Sequence, residues 1–126
     1  MGPFRVSGRL TGPTGQSEDT DLLVDTGATF VVVPERLAAR LKLAARRSAP
    51  VIIAGGQRAA WPMAEVRLAL GGQEVTTPCF IAPDGPILLG AVALESLLLG
   101  VDPVAKRLIP IDGFVCGYAM PALATR

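Results

Sequence analysis

Apolar and polar residues follow one another in short runs along most of the chain, with Gly, Pro and Asp between the runs. That punctuation predicts strands and tight turns rather than long helices. FRVSGRL alternates from Phe4 and predicts a first strand, followed by a Gly/Ser/Thr-rich turn or loop from Thr11 to Thr20. Leu22 to Val24 and Phe30 to Val33 predict two short buried strands around a DTGAT turn. Pro34 suits a first helical position, and ERLAARL then places Leu37 and Leu41 one helical turn apart.

The middle of the chain carries two turn signals, Gly55-Gly56 and Gly71-Gly72. They divide it into strand, hairpin, long strand, hairpin and strand, a unit that PDGP closes at Pro83 to Pro86. ILLG, from Ile87 to Gly90, is a further buried run, and a helix is expected from Ala91 to Leu99 with Gly100 as its stop. VDPVAKRLIPI predicts another hairpin turning at Asp102-Pro103, and the tail GFVCGYAMPALATR is half strand-like and half undefined. No linker and no fixed-period repeat interrupts this order. Residues 1–126 are therefore expected to form one mostly-β domain with one or two short helices.

Composition narrows the chemistry. The chain has 126 residues, half of them hydrophobic and only 5% aromatic, so Val, Leu, Ile and Ala must build the core. A formal net charge of +1 leaves no electrostatic footprint for nucleic acid or an anionic membrane, and neither is expected as a partner. Two cysteines, Cys79 and Cys116, are too few for a disulfide framework. Histidine is absent, which excludes His-assisted Ser or Cys nucleophiles and His-based zinc sites. Carboxylate, lysine and backbone chemistry remain, with no cofactor and no metal expected. MGPFRVSGRL lacks a signal-peptide core, and Val6 breaks the myristoylation pattern. The most apolar window, ILLGAVALESLLLGV, is too short for a bilayer and carries Glu95. A soluble, cytoplasmic protein is the expectation.

One carboxylate stands in unusual company. In LLVDTGATFVVVP, Asp25 follows Leu22, Leu23 and Val24 and precedes an apolar run from Phe30 to Val33. A buried charge costs several kcal/mol or more unless it is paired or neutralised. A plain β-turn, which Asp and Gly favour, accounts for neither the apolar flanks nor a matching ILLG downstream.

Taken together, Val24 to Ala28 with its lead-in, and Ile87 to Gly90 followed by a helix, resemble the retropepsin-like aspartic proteases, the family of retroviral proteases and their cellular and bacterial relatives. The resemblance runs from about Leu22 to Ile111. It implies a closed, β-barrel-like acid-protease fold of the retropepsin type. It also implies an aspartic endopeptidase acting on peptide or protein substrates. Asp25 would be the catalytic carboxylate, activating water together with a partner. Thr26, Gly27 and Ala28 would border the substrate, Gly27 allowing close backbone approach and the Thr26 hydroxyl tying two catalytic loops together. Ala54, Gly55 and Gly56 would form a flap tip over bound peptide.

Since the chain has a single Asp-Thr-Gly, the second carboxylate must come from another copy, so a homodimer is expected. The end strands FRVSGRL and GFVCGY are its candidate pairing surfaces. Thr29 and Phe30 stand where retroviral members usually carry acidic residues, and Ala91 where they often carry Arg, which points to a bacterial or cellular relative. A non-catalytic retropepsin-fold module for dimerisation or peptide binding is the alternative function. DTGAT also fits a phosphate loop of the actin and sugar-kinase class, but that fold needs several times more chain. Trp61 is read as pocket lining or packing, Asp102 as a turn residue, and Glu95 as part of a solvated helix face.

Overall fold

The computed structural model describes residues 3–120. Nine strands and two short helices follow in order: β1 (Phe4–Thr11), β2 (Ser17–Val24), β3 (Val31–Pro34), α1 (Glu35–Arg40), β4 (Arg47–Ile52), β5 (Arg58–Leu70), β6 (Gln73–Ala82), β7 (Leu88–Leu89), α2 (Ala91–Ser96), β8 (Leu99–Asp102) and β9 (Arg107–Pro110). The main sheet runs β1-β2-β7-β3-β6-β5-β4, and β1 pairs again with β5 through Arg9 to Thr11. That second pairing closes six strands into a ring and leaves β4 as an appended edge. β8 and β9 form a separate hairpin.

Side-chain alternation explains the long strands. Along β5, Ala64, Val66, Leu68 and Leu70 point inward and are buried, while Glu65 and Arg67 face solvent. On β6, Thr77, Cys79 and Ile81 take the same inward phase. β3 reads VVVP without alternation and all four of its residues are buried. It lies between β7 and β6, in the middle of the sheet, where both faces are covered. Leu10, Leu22, Val24, Leu89 and Leu97 complete a core of aliphatic side chains.

Three boundaries differ from the sequence reading, each for a physical reason. The loop expected over residues 11–20 shrinks to residues 12–16, because β1 and β2 stay in register down to Thr11 opposite Ser17. The polar run SEDTD is a strand held by its neighbours: Arg9 pairs with Asp19 across the hairpin at 2.7 Å, and Arg40 of α1 pairs with Glu18 at 2.9 Å. Pro34 ends β3 in an extended conformation (ψ 153°) and precedes the helix, which begins at Glu35. The second helix stops at Ser96 rather than Leu99. Leu97 is fully buried, Leu98 turns the chain in the left-handed region (φ 55°), and Gly100 lies inside β8. The tail beyond Ile111 contains no strand among the described residues.

Candidate active site

The Asp25 loop leaves the end of β2 and returns into β3, and β7 lies between those two strands. β2 and β7 run parallel, with Leu23 opposite Leu88 and Val24 opposite Leu89, while β3 meets β7 antiparallel at Val32 opposite Leu88. Backbone hydrogen bonds fix the loop from both sides. Asp25 N–H donates to the Leu89 carbonyl at 3.1 Å, and Ala28 N–H to the Asp25 carbonyl at 3.1 Å. The first two amides of α2 donate back, Ala91 to the Ala28 carbonyl at 2.8 Å and Val92 to the Thr29 carbonyl at 3.0 Å.

Gly90 is what lets these segments meet. A Cβ built there would lie 2.5 Å from the Phe30 carbonyl oxygen and 2.8 Å from that of Ala28. Both obstacles are backbone atoms. The glycine of ILLG is thus required by close approach, since its φ of −90° is open to any residue.

Asp25 is half-buried, Thr26 and Gly27 are exposed, and Ala28 is half-buried. One carboxylate oxygen of Asp25, Oδ1, accepts a hydrogen bond from Gly27 N–H at 3.0 Å. Asp25 enters no ion pair among the described residues; the cations with partners are engaged elsewhere, as in Arg36 with Asp84. The carboxylate is therefore held in orientation by its own loop, with Oδ2 available for other chemistry.

A band of apolar side chains, not anticipated from the sequence, adjoins this loop. Register aligns Leu23, Leu88, Val32, Phe80 and Met63 across five neighbouring strands. Leu23, Leu88, Phe80 and Met63 are only half-buried, whereas the next positions, Val24, Leu89, Val33 and Ala64, are buried in the core. Phe30 extends the band, its ring 5.8 Å from that of Phe80 and inclined at 49°. The signal was present in the sequence as the opposite phase of each strand, but it needs the register to become a surface.

Ala54, Gly55 and Gly56 lie exposed at the turn of the β4–β5 hairpin. Gly55 (φ 97°) and Gly56 (φ 90°) supply the left-handed conformations of that turn, closed by Ile53 N–H to the Gln57 carbonyl at 2.8 Å. No hydrogen bond joins this turn to the Asp25 loop among the described residues. Trp61 lines a groove of about 400 Å³ with Ala38, Leu43 and Ile81, and a concavity of about 980 Å³ lies between β1, β2 and the β5–β6 turn. Neither includes Asp25, and Thr26 and Gly27 beside it are exposed. Burial pushes the Cys79 thiol up to about 12, which leaves it inert at neutral pH.

A closed ring of strands with an Asp-Thr-Gly loop braced by a hydrophobic-hydrophobic-Gly strand defines an acid-protease fold of the retropepsin type. The aspartyl protease family profile matches residues 6–102, and the chain belongs to that retropepsin-like family. Among solved structures it is similar to a retroviral enzyme, EIAV protease in complex with the inhibitor HBY-793. That match has a TM-score of 0.61 and 20% identity, and covers 76% of this chain and 88% of that one. At that identity the likeness speaks for the fold. No curated protein matches the chain.

Proposed function

We propose that the protein is an aspartic endopeptidase, hydrolysing peptide bonds by activating water between the Asp25 carboxylates of a homodimer. The observation that carries this reading is the bracing of Asp25. Its backbone is fixed by Leu89, its loop by the first amides of α2, and one carboxylate oxygen by Gly27. A group that must act as acid or base works best when its geometry is set beforehand.

Two carboxylates about 3 Å apart repel by roughly 5 kcal/mol at an effective dielectric near 20. Such a pair retains one proton, as aspartic-protease dyads are known to do. The ionised member takes a proton from water, whose oxygen attacks the scissile carbonyl. The protonated member gives its proton to the carbonyl oxygen. Collapse of the tetrahedral intermediate then breaks the C–N bond: the leaving amine takes the proton of the protonated member, and a hydroxyl of the intermediate returns its proton to the ionised member, so the pair ends with the one proton it began with. The apolar band from Leu23 to Met63, with Phe30, would support the side chains of an extended peptide, and the β4–β5 turn at Ala54 to Gly56 would close over it as a flap.

Cleavage of a mixed peptide pool, blocked by pepstatin, tests the proposal. Asp25→Asn keeps the shape and removes the acid–base function, so the rate should fall by at least about 10²-fold with folding intact. An Asp25→Asn protein that cleaves at the wild-type rate refutes the assignment. A dimeric wild type that cuts nothing in the pool would favour the peptide-binding module instead.

A further inference from the structure

The apolar band beside Asp25 does not end at Met63. Arg47 of β4 stands directly opposite Met63 in the register, and opposed residues of an antiparallel pair project from the same face. The row Leu23, Leu88, Val32, Phe80 and Met63 is therefore completed on a sixth strand by an arginine. Arg46 shares that place. Its N–H donates to the Met63 carbonyl at 2.9 Å, so two arginines of one strand oppose a single residue of the other, as in a β-bulge.

Both arginines are exposed, and with Met63, Ala64, Glu65 and Pro78 they line a concavity of about 380 Å³. Glu65 stands 4.0 Å from Arg46, at the outer limit of an ion pair. Arg47 enters no ion pair among the described residues, whereas Arg9, Arg36 and Arg40 each have a carboxylate within 2.9 Å. One carboxylate against two guanidiniums leaves the concavity positive, at the end of an otherwise apolar track. Charge on an outer strand often serves to block edge pairing, but Pro50 already blunts the edge of β4 and needs no help from a cation aligned with the band.

We propose that Arg47, with Arg46 beside it, is a specificity-determining residue that binds an acidic side chain of the peptide substrate. This rests on the endopeptidase reading above and names the class of peptide it takes. Leu88 precedes the residue whose carbonyl holds the Asp25 amide. From β7 to β4 there are four strand spacings, about 19 Å at ~4.8 Å each, which an extended peptide covers in about six residues. With the reach of an arginine side chain, the carboxylate stands about five to seven residues from the scissile bond. A guanidinium fork grips a carboxylate through two hydrogen bonds, a match that a neutral amide or an ammonium does not offer. In a two-fold dimer each copy carries the pocket, so the acid can lie on either side of the cut.

The test uses the full-length protein and rhodamine-labelled peptides with a central Leu-Phe pair among Ala and Ser. Glu, Gln or Lys is walked outward from the centre one position at a time. At about five to seven residues from the cut, kcat/KM should favour Glu over Gln about 5-fold, the gain lying in KM and fading as salt is raised. Closer positions should show no such preference. Arg47→Glu should invert the order, so that Lys is cut better than Glu at the same positions, a reversal that misfolding does not produce. Glu65→Gln removes the competing carboxylate and should strengthen the preference for Glu.

A wild type that cuts the Glu, Gln and Lys peptides equally at every position overturns the inference, and so does an Arg47→Glu variant that keeps the wild-type order. Fluorescence polarisation of the same peptides on Asp25→Asn protein separates this outcome from the fate of the protease reading. Tighter binding of the Glu peptide by a protein whose wild type cuts nothing upholds the role of Arg47 and refutes the endopeptidase alone. Binding that is absent, or blind to the residue at those positions, overturns the role of Arg47.

Discussion

Replacing Gly90 by alanine should damage the protein more than any surface glycine change, and the structure sets the size. The new methyl carbon would sit 2.5 Å from the Phe30 carbonyl oxygen and 2.7 Å from its carbon. A carbon meets a carbonyl oxygen comfortably at about 3.3–3.6 Å, so the junction of β7 and α2 must retreat by roughly 0.8 Å. The Ala91–Ala28 hydrogen bond, 2.8 Å long, would stretch to about 3.6 Å, beyond useful range. Val92–Thr29 and Asp25–Leu89 share the same junction. Losing two or three such bonds at about 1 kcal/mol each, with overpacking strain of about 1–3 kcal/mol, gives a loss of about 3–6 kcal/mol.

Urea unfolding measures it directly. With a slope near 1.5 kcal/mol per molar, the midpoint should fall by about 2–4 M. Gly55→Ala is the informative control. Gly55 has φ 97° but no atom within 4 Å of a new Cβ, so it tests backbone strain without a clash and should cost only about 1 kcal/mol. Displacing the Asp25 loop by most of an ångström should also lower peptide cleavage by about 10²-fold. A Gly90→Ala protein with an unshifted midpoint and undiminished cleavage would show that the bracing is incidental.

Other outcomes follow from the same geometry. Mixing wild type with a ninefold excess of Asp25→Asn chains should cut activity per wild-type chain to about a tenth through heterodimers, and unchanged activity would exclude a shared site. Lys42, exposed after α1, holds a left-handed conformation (φ 54°), so Lys42→Gly should raise stability by about 0.5–1 kcal/mol in the same urea assay. The Arg40 guanidinium hydrogen-bonds Glu18 and lowers its pKa. A lowered folded pKa adds stability above the ordinary glutamate value, about 4.3, and loses it as pH falls through the folded value. Partial exposure limits that to under about 1 kcal/mol, so Arg40→Gln should be less stable than wild type at pH 6 and equal to it near pH 2.

What could be read in advance depended on whether local chemistry or tertiary pairing decided the outcome. The Asp-Thr-Gly loop and ILLG were legible because a charge inside an apolar run, and a glycine ending one, are locally anomalous. Gly55-Gly56 and Gly71-Gly72 were legible because positive φ demands glycine there. The strand from Ser17 was not, since SEDTD has a loop-like composition and is extended only because β1 and Arg40 meet it. Gly100 looked like the stop of the second helix, but burial of Leu97 forces the turn onto Leu98 at a cost in backbone strain. The apolar band beside Asp25 was invisible for another reason: its members are scattered over five strands, and only register collects them.

The bracing also accounts for the apolar flanks of Asp25. They do not bury the carboxylate, which is half-exposed in a single chain. Val24, Val31 and Val33 are instead almost wholly buried beneath the loop, where they pack the frame that β7 and α2 complete. The loop is thus rigid from below and open from above. Desolvation strengthens electrostatic interactions in a site, but one chain alone leaves Asp25 in contact with water. On the dimeric reading, association supplies both missing elements at once: a second carboxylate, and the body that excludes solvent. Under that arrangement a lone chain folds without the penalty of a buried, unpaired charge, and the cost of bringing two carboxylates together arises only where their shared proton and a bound substrate offset it.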